Sequence, residues 1–326
     1  MLPESVIAFL RDAGLAAADE SPVAVALAGG VSSDIWKVRL RSGTVCVKRA
    51  LPRLRVAQVW EAPVERNIYE RRWLETASRI VPGIAPRVLA ASDEGLFAME
   101  YLDTLPLWKN ELREGRADPA FAHAVGARLA AVHVATADDA GIAAQFATDA
   151  NFHAIRLEPY LLASSNAHPD LAQQLQALVT RTAATRRVLV HGDVSPKNLL
   201  LGSDGPVFLD AECAWFGDPA FDPAFCLNHL LLKCLWHPPA KPRFLECYAA
   251  LASAYLAGAT WEHRGALEAR IASLLPGLLL ARVDGKSPVE YLTGETSKNT
   301  VRRVARALLL EPPTTLNQIR EAWQKS

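Results

Sequence analysis

The chain has 326 residues, half of them hydrophobic, with 35 basic and 35 acidic side chains. That length allows one large domain or two lobes with real cores, and the neutral balance gives no global electrostatic case for nucleic acid or an anionic membrane as partner. No uncharged apolar run is long enough to cross a bilayer; the longest candidate, residues 248–261, is interrupted by Ser253, Gly258 and Thr260. The opening residues, Met1-Leu2-Pro3-Glu4-Ser5, lack the basic and apolar stretches of a secretory signal. The five cysteines, Cys46, Cys213, Cys226, Cys234 and Cys247, are odd in number and form no close pairs. They suit buried thiols in a reducing cytoplasm rather than a disulfide framework or a zinc site.

In chain order, residues 4–16 carry Val6, Ile7, Phe9 and Leu10 on one helical face, with Gly14 near the end. Residues 23–27, 35–40 and 44–48 read as a three-stranded meander. Its first turn is made of small residues and includes Gly29, Gly30 and Ser32. Glycines there would let backbone N–H groups approach a phosphate, although a plain hairpin turn uses the same residues. Alternation along residues 44–48 places Cys46 and Lys48 on one face. Residues 61–77 form a charged helical pattern, and Pro82, Gly83 and Pro86 end that segment. Two further strands, residues 88–91 and 96–99, lead into Met99-Glu100-Tyr101-Leu102-Asp103. From residue 104 onward the patterns are mainly helical: 121–135, two within 154–183, then 223–236, 242–256, 263–282, 288–292, 296–310 and 315–324. Gly285-Lys286-Ser287 has the tail of a phosphate-binding loop, but the required upstream glycine position is Leu280.

The most informative stretch interrupts those helices. Val188-Leu189-Val190 is a short strand, and His191-Gly192-Asp193-Val194-Ser195-Pro196-Lys197-Asn198 is a loop. Residues 199–201 and 207–209 are two apolar runs around Ser203-Asp204-Gly205-Pro206, which has hairpin chemistry. Asn198 and Asp210 are equidistant from Asp204. Strands pair about 4.8 Å apart, so a closed hairpin would bring this amide and carboxylate to one cation. Two oxygen donors with open positions suit Mg2+ carrying nucleotide phosphates, with Asp193 as a free carboxylate alongside.

The string His-Gly-Asp-x-x-x-x-Asn, then a hairpin, Asp210, Gly217-Asp218-Pro219 and Asp222, resembles the aminoglycoside phosphotransferase and choline kinase branch of the protein-kinase-like fold. The resemblance implies an α+β, bilobal, protein-kinase-like fold. Residues 1–99 would be a small β-rich nucleotide-binding lobe, 100–104 the hinge, and 105–326 a larger, mainly helical lobe for catalysis and acceptor binding. It implies ATP and Mg2+ as cofactors and a small-molecule hydroxyl acceptor. Asp193 would be the catalytic carboxylate, Asn198 and Asp210 the metal ligands, and His191 a packing residue. Val45-Cys46-Val47-Lys48 resembles the third-strand lysine signature, with Lys48 over the α- and β-phosphates and Cys46 lining the adenine pocket. A helix glutamate should hold that lysine; Glu70 matches best and Glu65 is the alternative. Backbone at Glu100 and Leu102 would meet the adenine edge. Asp218 would support the catalytic loop. Lys197 would touch the γ-phosphate or stand in solvent. Glu212 would bind an acceptor hydroxyl or brace the loop. His133, on a helix resembling a common packing helix, reads as a hydrogen-bonded core residue.

The acceptor is less legible. Trp108, Trp215, Tyr160, Trp236, Asp149 and Glu158 are the aromatic and acidic candidates for a cationic acceptor. Arg282, Asp284 and Lys286 would hold an anionic or sugar acceptor, or merely end a helix. A protein kinase is disfavoured, since there is no Asp-Phe-Gly or Ala-Pro-Glu and Gly192-Asp193 stands in place of Arg-Asp. The competing reading from another class is a catalytically weak nucleotide-binding scaffold, a pseudokinase regulating a partner protein.

Overall fold

The computed structural model describes residues 2–27, 33–51 and 64–326. Five strands, β1 (Val23–Ala26), β2 (Ser33–Leu40), β3 (Gly43–Ala50), β4 (Val88–Ala91) and β5 (Phe97–Glu100), form one antiparallel sheet in the order β1-β2-β3-β5-β4. The first helix, α1 (Glu4–Asp12), ends where Gly14 takes a positive φ of 68°, earlier than the apolar pattern suggested. Its buried face, Val6, Phe9 and Leu10, joins Trp36, Val38, Val45 and Val47 in a small core. Because side chains alternate along a strand, covering Val45 and Val47 on one face of β3 leaves Cys46 and Lys48 on the other.

That other face meets α2 (Arg66–Ile80), which buries Arg66, Asn67, Glu70, Trp73, Leu74 and Ala77 at helical spacing. Trp73 sits edge-on to His191 at 4.6 Å between ring centroids and 6.1 Å from Phe208. The helix therefore packs on the loop and hairpin around His191 and Phe208 as well as on the sheet. The remainder of the chain is a larger helical body with one continuous core. It includes α3 (Trp108–Arg113) and α4 (Pro119–Thr136), and the long helices Phe221–Trp236, Lys241–Gly258 and Arg264–Asp284. The architecture is the expected one: a small antiparallel sheet lobe and a larger helical lobe. Among the described residues, no helix is long and apolar enough to cross a membrane. Residues 288–292, read as helical from their pattern, form turns and loop instead.

The hairpin is held from three sides. β7 (Leu199–Gly202) and β8 (Gly205–Phe208) pair with Leu199 opposite Phe208 and Gly202 opposite Gly205. The centre thus lies between Ser203 and Asp204, half a residue from the symmetric reading. The N–H of Leu201 donates to Pro106 O at 2.9 Å, and that of Phe208 to Ile84 O at 2.7 Å. Arg128 on α4 caps the turn, donating to Pro206 O at 2.8 Å and to Asp204 O. β6 (Val188–Val190) pairs antiparallel with β9 (Trp215–Gly217), so the segment 191–214 is a loop closed at both ends.

Candidate active site

Lys48 lies at the centre of the site. Its Nζ donates to Glu70 Oε2 at 2.6 Å and to Asp210 Oδ1 at 2.5 Å, with Lys48 and Glu70 2% and 1% exposed. Glu70, not Glu65, is therefore the helix carboxylate on the strand lysine. Burial alone would lower the Lys48 ammonium, but Asp210 and Glu70 outweigh it and hold it protonated. Glu70 goes the other way. Burial pushes its carboxyl up to about 7, with Lys48 opposing and Asp210 adding like-charge repulsion. Burial also raises Asp210, yet Lys48 and Lys197 more than reverse that and keep it ionised.

Asp210 reaches the lysine by an unusual backbone. Its φ is 66°, left-handed in a residue other than glycine. The N–H of Leu209 donates to Asn198 O at 2.9 Å, so Asn198 and Asp210 stand one position out of register at the open end of the hairpin. Asn198 Nδ2 donates to the Asp193 backbone carbonyl at 3.0 Å. That bond uses the amide nitrogen and leaves the amide oxygen as the side chain's lone-pair ligand. One Asp210 oxygen is engaged by Lys48. The donor set thus fits a hard cation that takes its other ligands from elsewhere. Among the described residues there is no cluster of three or more His, Cys, Asp or Glu side chains placed to hold a metal ion.

Asp193 is 3% exposed, and both of its ion pairs fall on Oδ2: Arg156 Nη2 at 3.0 Å and Lys197 Nζ at 3.1 Å. Lys197, though about half exposed, is therefore paired with Asp193. Arg156 also donates through Nε to Gly192 O at 2.5 Å. The chain pattern gave no role to Arg156. Its signal was a lone charge in the apolar series Ile155, Leu157, Tyr160 and Leu161, on what proves to be a π-helical stretch, His153–Leu162.

The loop geometry depends on Asp222, and here the sequence reading is corrected. Its carboxylate accepts the N–H groups of His191 at 2.7 Å and Gly192 at 2.8 Å. Asp218, expected in that role, instead accepts from its own loop at Ala220 N, 3.0 Å, and from Arg270 at 3.3 Å. The difference is one helical turn: Asp222 starts the buried helix Phe221–Trp236, whose N-terminus faces the loop. His133 is the buried core histidine expected, 2.9 Å from Tyr255 Oη and 3.4 Å from Asp222. His191 is buried as a packing residue. Its Nδ1 accepts the Asp193 N–H at 3.1 Å, and burial holds its ring below the usual histidine range.

Glu212 braces the loop: Arg66 Nε donates to it at 3.1 Å. Cys46 is 5% exposed, and burial raises its thiol to about 12, so it is protonated at neutral pH. The N–H of Glu100 is engaged by Arg87 O at 3.0 Å. Gly29, Gly30 and Ser32 lie outside the described residues. Of the acceptor candidates, Trp108 and Trp215 are core residues, and Trp215 Nε1 donates to Asp149 at 2.8 Å. Glu158 is paired with Lys286 at 2.6 Å, and Asp284 with Arg302 at 2.7 Å. Tyr160 lies near both Arg156 and Arg282, at 5.6 and 5.5 Å from its ring centroid, and Trp236 stacks on Tyr291.

Residues 23–268 match the family model described as the Phosphotransferase enzyme family (APH). Methylthioribose kinase of Geobacillus thermodenitrificans (strain NG80-2) is 25% identical over 240 residues, 61% of this chain and 57% of that protein. The chain thus spans a little over half the length of the curated relatives it matches. The choline kinase structure from Cryptosporidium parvum Iowa II aligns with a TM-score of 0.60 at 14% identity, over 94% of this chain and 96% of that one. Amicoumacin kinase hAmiN, solved in complex with AMP-PNP, Ca2+ and Ami, aligns with a TM-score of 0.57 at 14% identity, over 97% and 96%. At such identities the structural likeness is one of fold.

Proposed function

The chain belongs to the phosphotransferase enzyme family, and on that premise we propose that it transfers the γ-phosphate of ATP to a hydroxyl of a small molecule. The observation that carries this reading is the contact of one buried ammonium, Lys48, with Glu70 from α2 and Asp210 from beyond the hairpin. That contact joins the sheet lobe to the catalytic loop at the place where phosphates would lie. Phosphoryl transfer depends mainly on positioning and charge neutralisation, and such a site supplies both.

In this reading the adenine edge meets backbone at Glu100 and Leu102, beside Cys46, with residues 100–104 as the hinge between the lobes. Gly29, Gly30 and Ser32 would contact the phosphates, and Lys48 would fix them. Asn198 and Asp210 would hold Mg2+, which when bound supplies charge neutralisation at the phosphate oxygens. Asp193 orients the acceptor alcohol. As the alcohol oxygen bonds to the γ-phosphorus and the bond to ADP breaks, the alcohol's proton passes to Asp193. Arg156 and Lys197 hold the second oxygen of that carboxylate and fix its aim. Methylthioribose, the substrate named for the curated relatives, belongs in the first panel of acceptors.

The test is ATP consumption by the purified chain with Mg2+ and a panel of methylthioribose, amino alcohols, sugars, hydroxy acids and aminoglycosides. Turnover should require one class of acceptor and Mg2+, and Asp193→Asn should lower kcat by about 10²–10⁴-fold. ATP binding without turnover on any acceptor would favour a scaffold instead.

A further inference from the structure

Beyond Arg156 the helical lobe holds an unusual concentration of positive charge. The Arg156 guanidinium lies 5.6 Å from the ring centroids of both Tyr160 and Phe225. Arg282 lies over the same Tyr160 ring at 5.5 Å and donates to its hydroxyl at 3.1 Å. One turn along the helix from Phe225, His229 packs at 5.4 Å from that ring and 3.4 Å from Tyr291 Oη. One turn further, Lys233 places its ammonium 3.7 Å from the centroids of both Trp236 and Tyr291. A continuous strip of contacts thus runs from Asp193 to Lys233.

These groups lack the counter-charge that buried cations require. Arg282, His229 and Lys233 are 8%, 5% and 1% exposed. Arg282 Nε, His229 Nε2 and Lys233 Nζ have no hydrogen-bond partner. Among the described residues no carboxylate pairs with Arg282 or Lys233; Glu290, the nearby acid, is held by Lys109 at 2.5 Å. Among the described residues the Arg282 side chain donates to the Tyr160 hydroxyl and to Ser287. Burial, then Arg282, Lys233, Lys197 and Lys109, drive the His229 ring well below its usual range, so four cations converge on it. Burial and the neighbouring Lys109 and Arg282 bring Lys233 down to about 7, against the opposing pull of Glu290.

We propose that this strip is the acceptor subsite and that it takes a small hydroxylated molecule bearing an oxyanion, a carboxylate or a phosphate, bound by Arg282 and Lys233 with its hydroxyl toward Asp193. The inference rests on the phosphotransfer reading for the role of Asp193. A cationic acceptor is disfavoured by the same residues. The stacked pair Trp236 and Tyr291, 4.6 Å apart, would suit a quaternary ammonium, but the chain's own Lys233 occupies it.

The test is calorimetric titration of the full chain, without nucleotide, with D-glycerate and D-gluconate as carboxylates and D-glucose 6-phosphate as the phosphate. Glycerol, D-glucose and choline are the neutral and cationic counterparts. At least one anion should bind tenfold or more tightly than its neutral counterpart, and the anion that binds distinguishes carboxylate from phosphate. Lys233→Met and Arg282→Gln should each weaken that anion tenfold or more. The ligand-free Lys233→Met chain should melt no lower than the parent, because the change removes a buried ammonium that no carboxylate offsets. No anion preference, a preference for choline, or anion binding unaltered in both variants would overturn the proposal. ATP turnover on neutral or cationic acceptors with no anion preference would overturn it while leaving phosphotransfer standing. Anion binding that the variants lose, with no ATP turnover on any acceptor, would sink phosphotransfer and leave the anion site.

Discussion

Lys48 on β3 and Asp210 beyond the hairpin are 162 positions apart in the chain and meet at 2.5 Å. The same ammonium also holds Glu70, so one cation compensates two carboxylates, one of them fully buried. Removing the cation alone therefore leaves a charge stranded. At pH 8, where Glu70 is ionised, Lys48→Met should lose roughly 3–5 kcal/mol in urea unfolding, the usual cost of breaking a buried pair from one side. Adding Glu70→Gln to that variant should recover part of the loss. A double variant no more stable than Lys48→Met would show that Glu70 does not depend on the lysine.

Glu70 also predicts a pH dependence. Its folded carboxyl titrates near 7, above the ordinary value of 4.5. Between those values the folded chain holds a proton that the unfolded chain has released, so stability falls as pH rises through the window. Relative to Glu70→Gln, the parent should lose on the order of 3 kcal/mol between pH 4.5 and 7, with no further difference above that. Denaturation series on both chains at pH 5, 6, 7 and 8 read this directly; parallel curves would rule it out.

Asp222 accepts two backbone N–H groups of the catalytic loop. Asp222→Ala strands both donors in a buried setting, at about 1–3 kcal/mol each. Amide hydrogen exchange at His191 and Gly192 should quicken, and kcat should fall far more than the KM for ATP changes, because Asp193 loses its placement. Asp222→Asn keeps one acceptor oxygen and should give an intermediate result. Unchanged exchange at His191 and Gly192 in the alanine variant would contradict the positioning role.

Gly192 has a φ of 80°, and a Cβ there would lie 2.6 Å from Cys213 O. Gly14 has a similar φ of 68° with nothing within 4 Å of a Cβ. Both alanine substitutions incur the left-handed backbone cost of about 1–2 kcal/mol. Only Gly192→Ala adds a collision with main chain. Its melting temperature should drop clearly further than that of Gly14→Ala; equal drops would mean that the loop gives way to the methyl group.

What the sequence determined was everything carried by short spacing. Period-2 alternation placed Cys46 and Lys48 on one face, and turn chemistry at Ser203-Asp204-Gly205 closed the hairpin that brings Asn198 toward Asp210; the choice of Glu70 over Glu65 came from resemblance to the family's helix. These are local rules, so they were legible without coordinates. What only the tertiary structure decided was which distant partner each buried polar group finds. Asp222 rather than Asp218 receives the loop amides, Arg156 steadies Asp193, Arg66 holds Glu212, and Lys233 fills the aromatic pair of Trp236 and Tyr291. Burial makes an unpaired polar group costly and so demands a partner, but chain spacing does not say which one. Packing between elements far apart in sequence makes that choice.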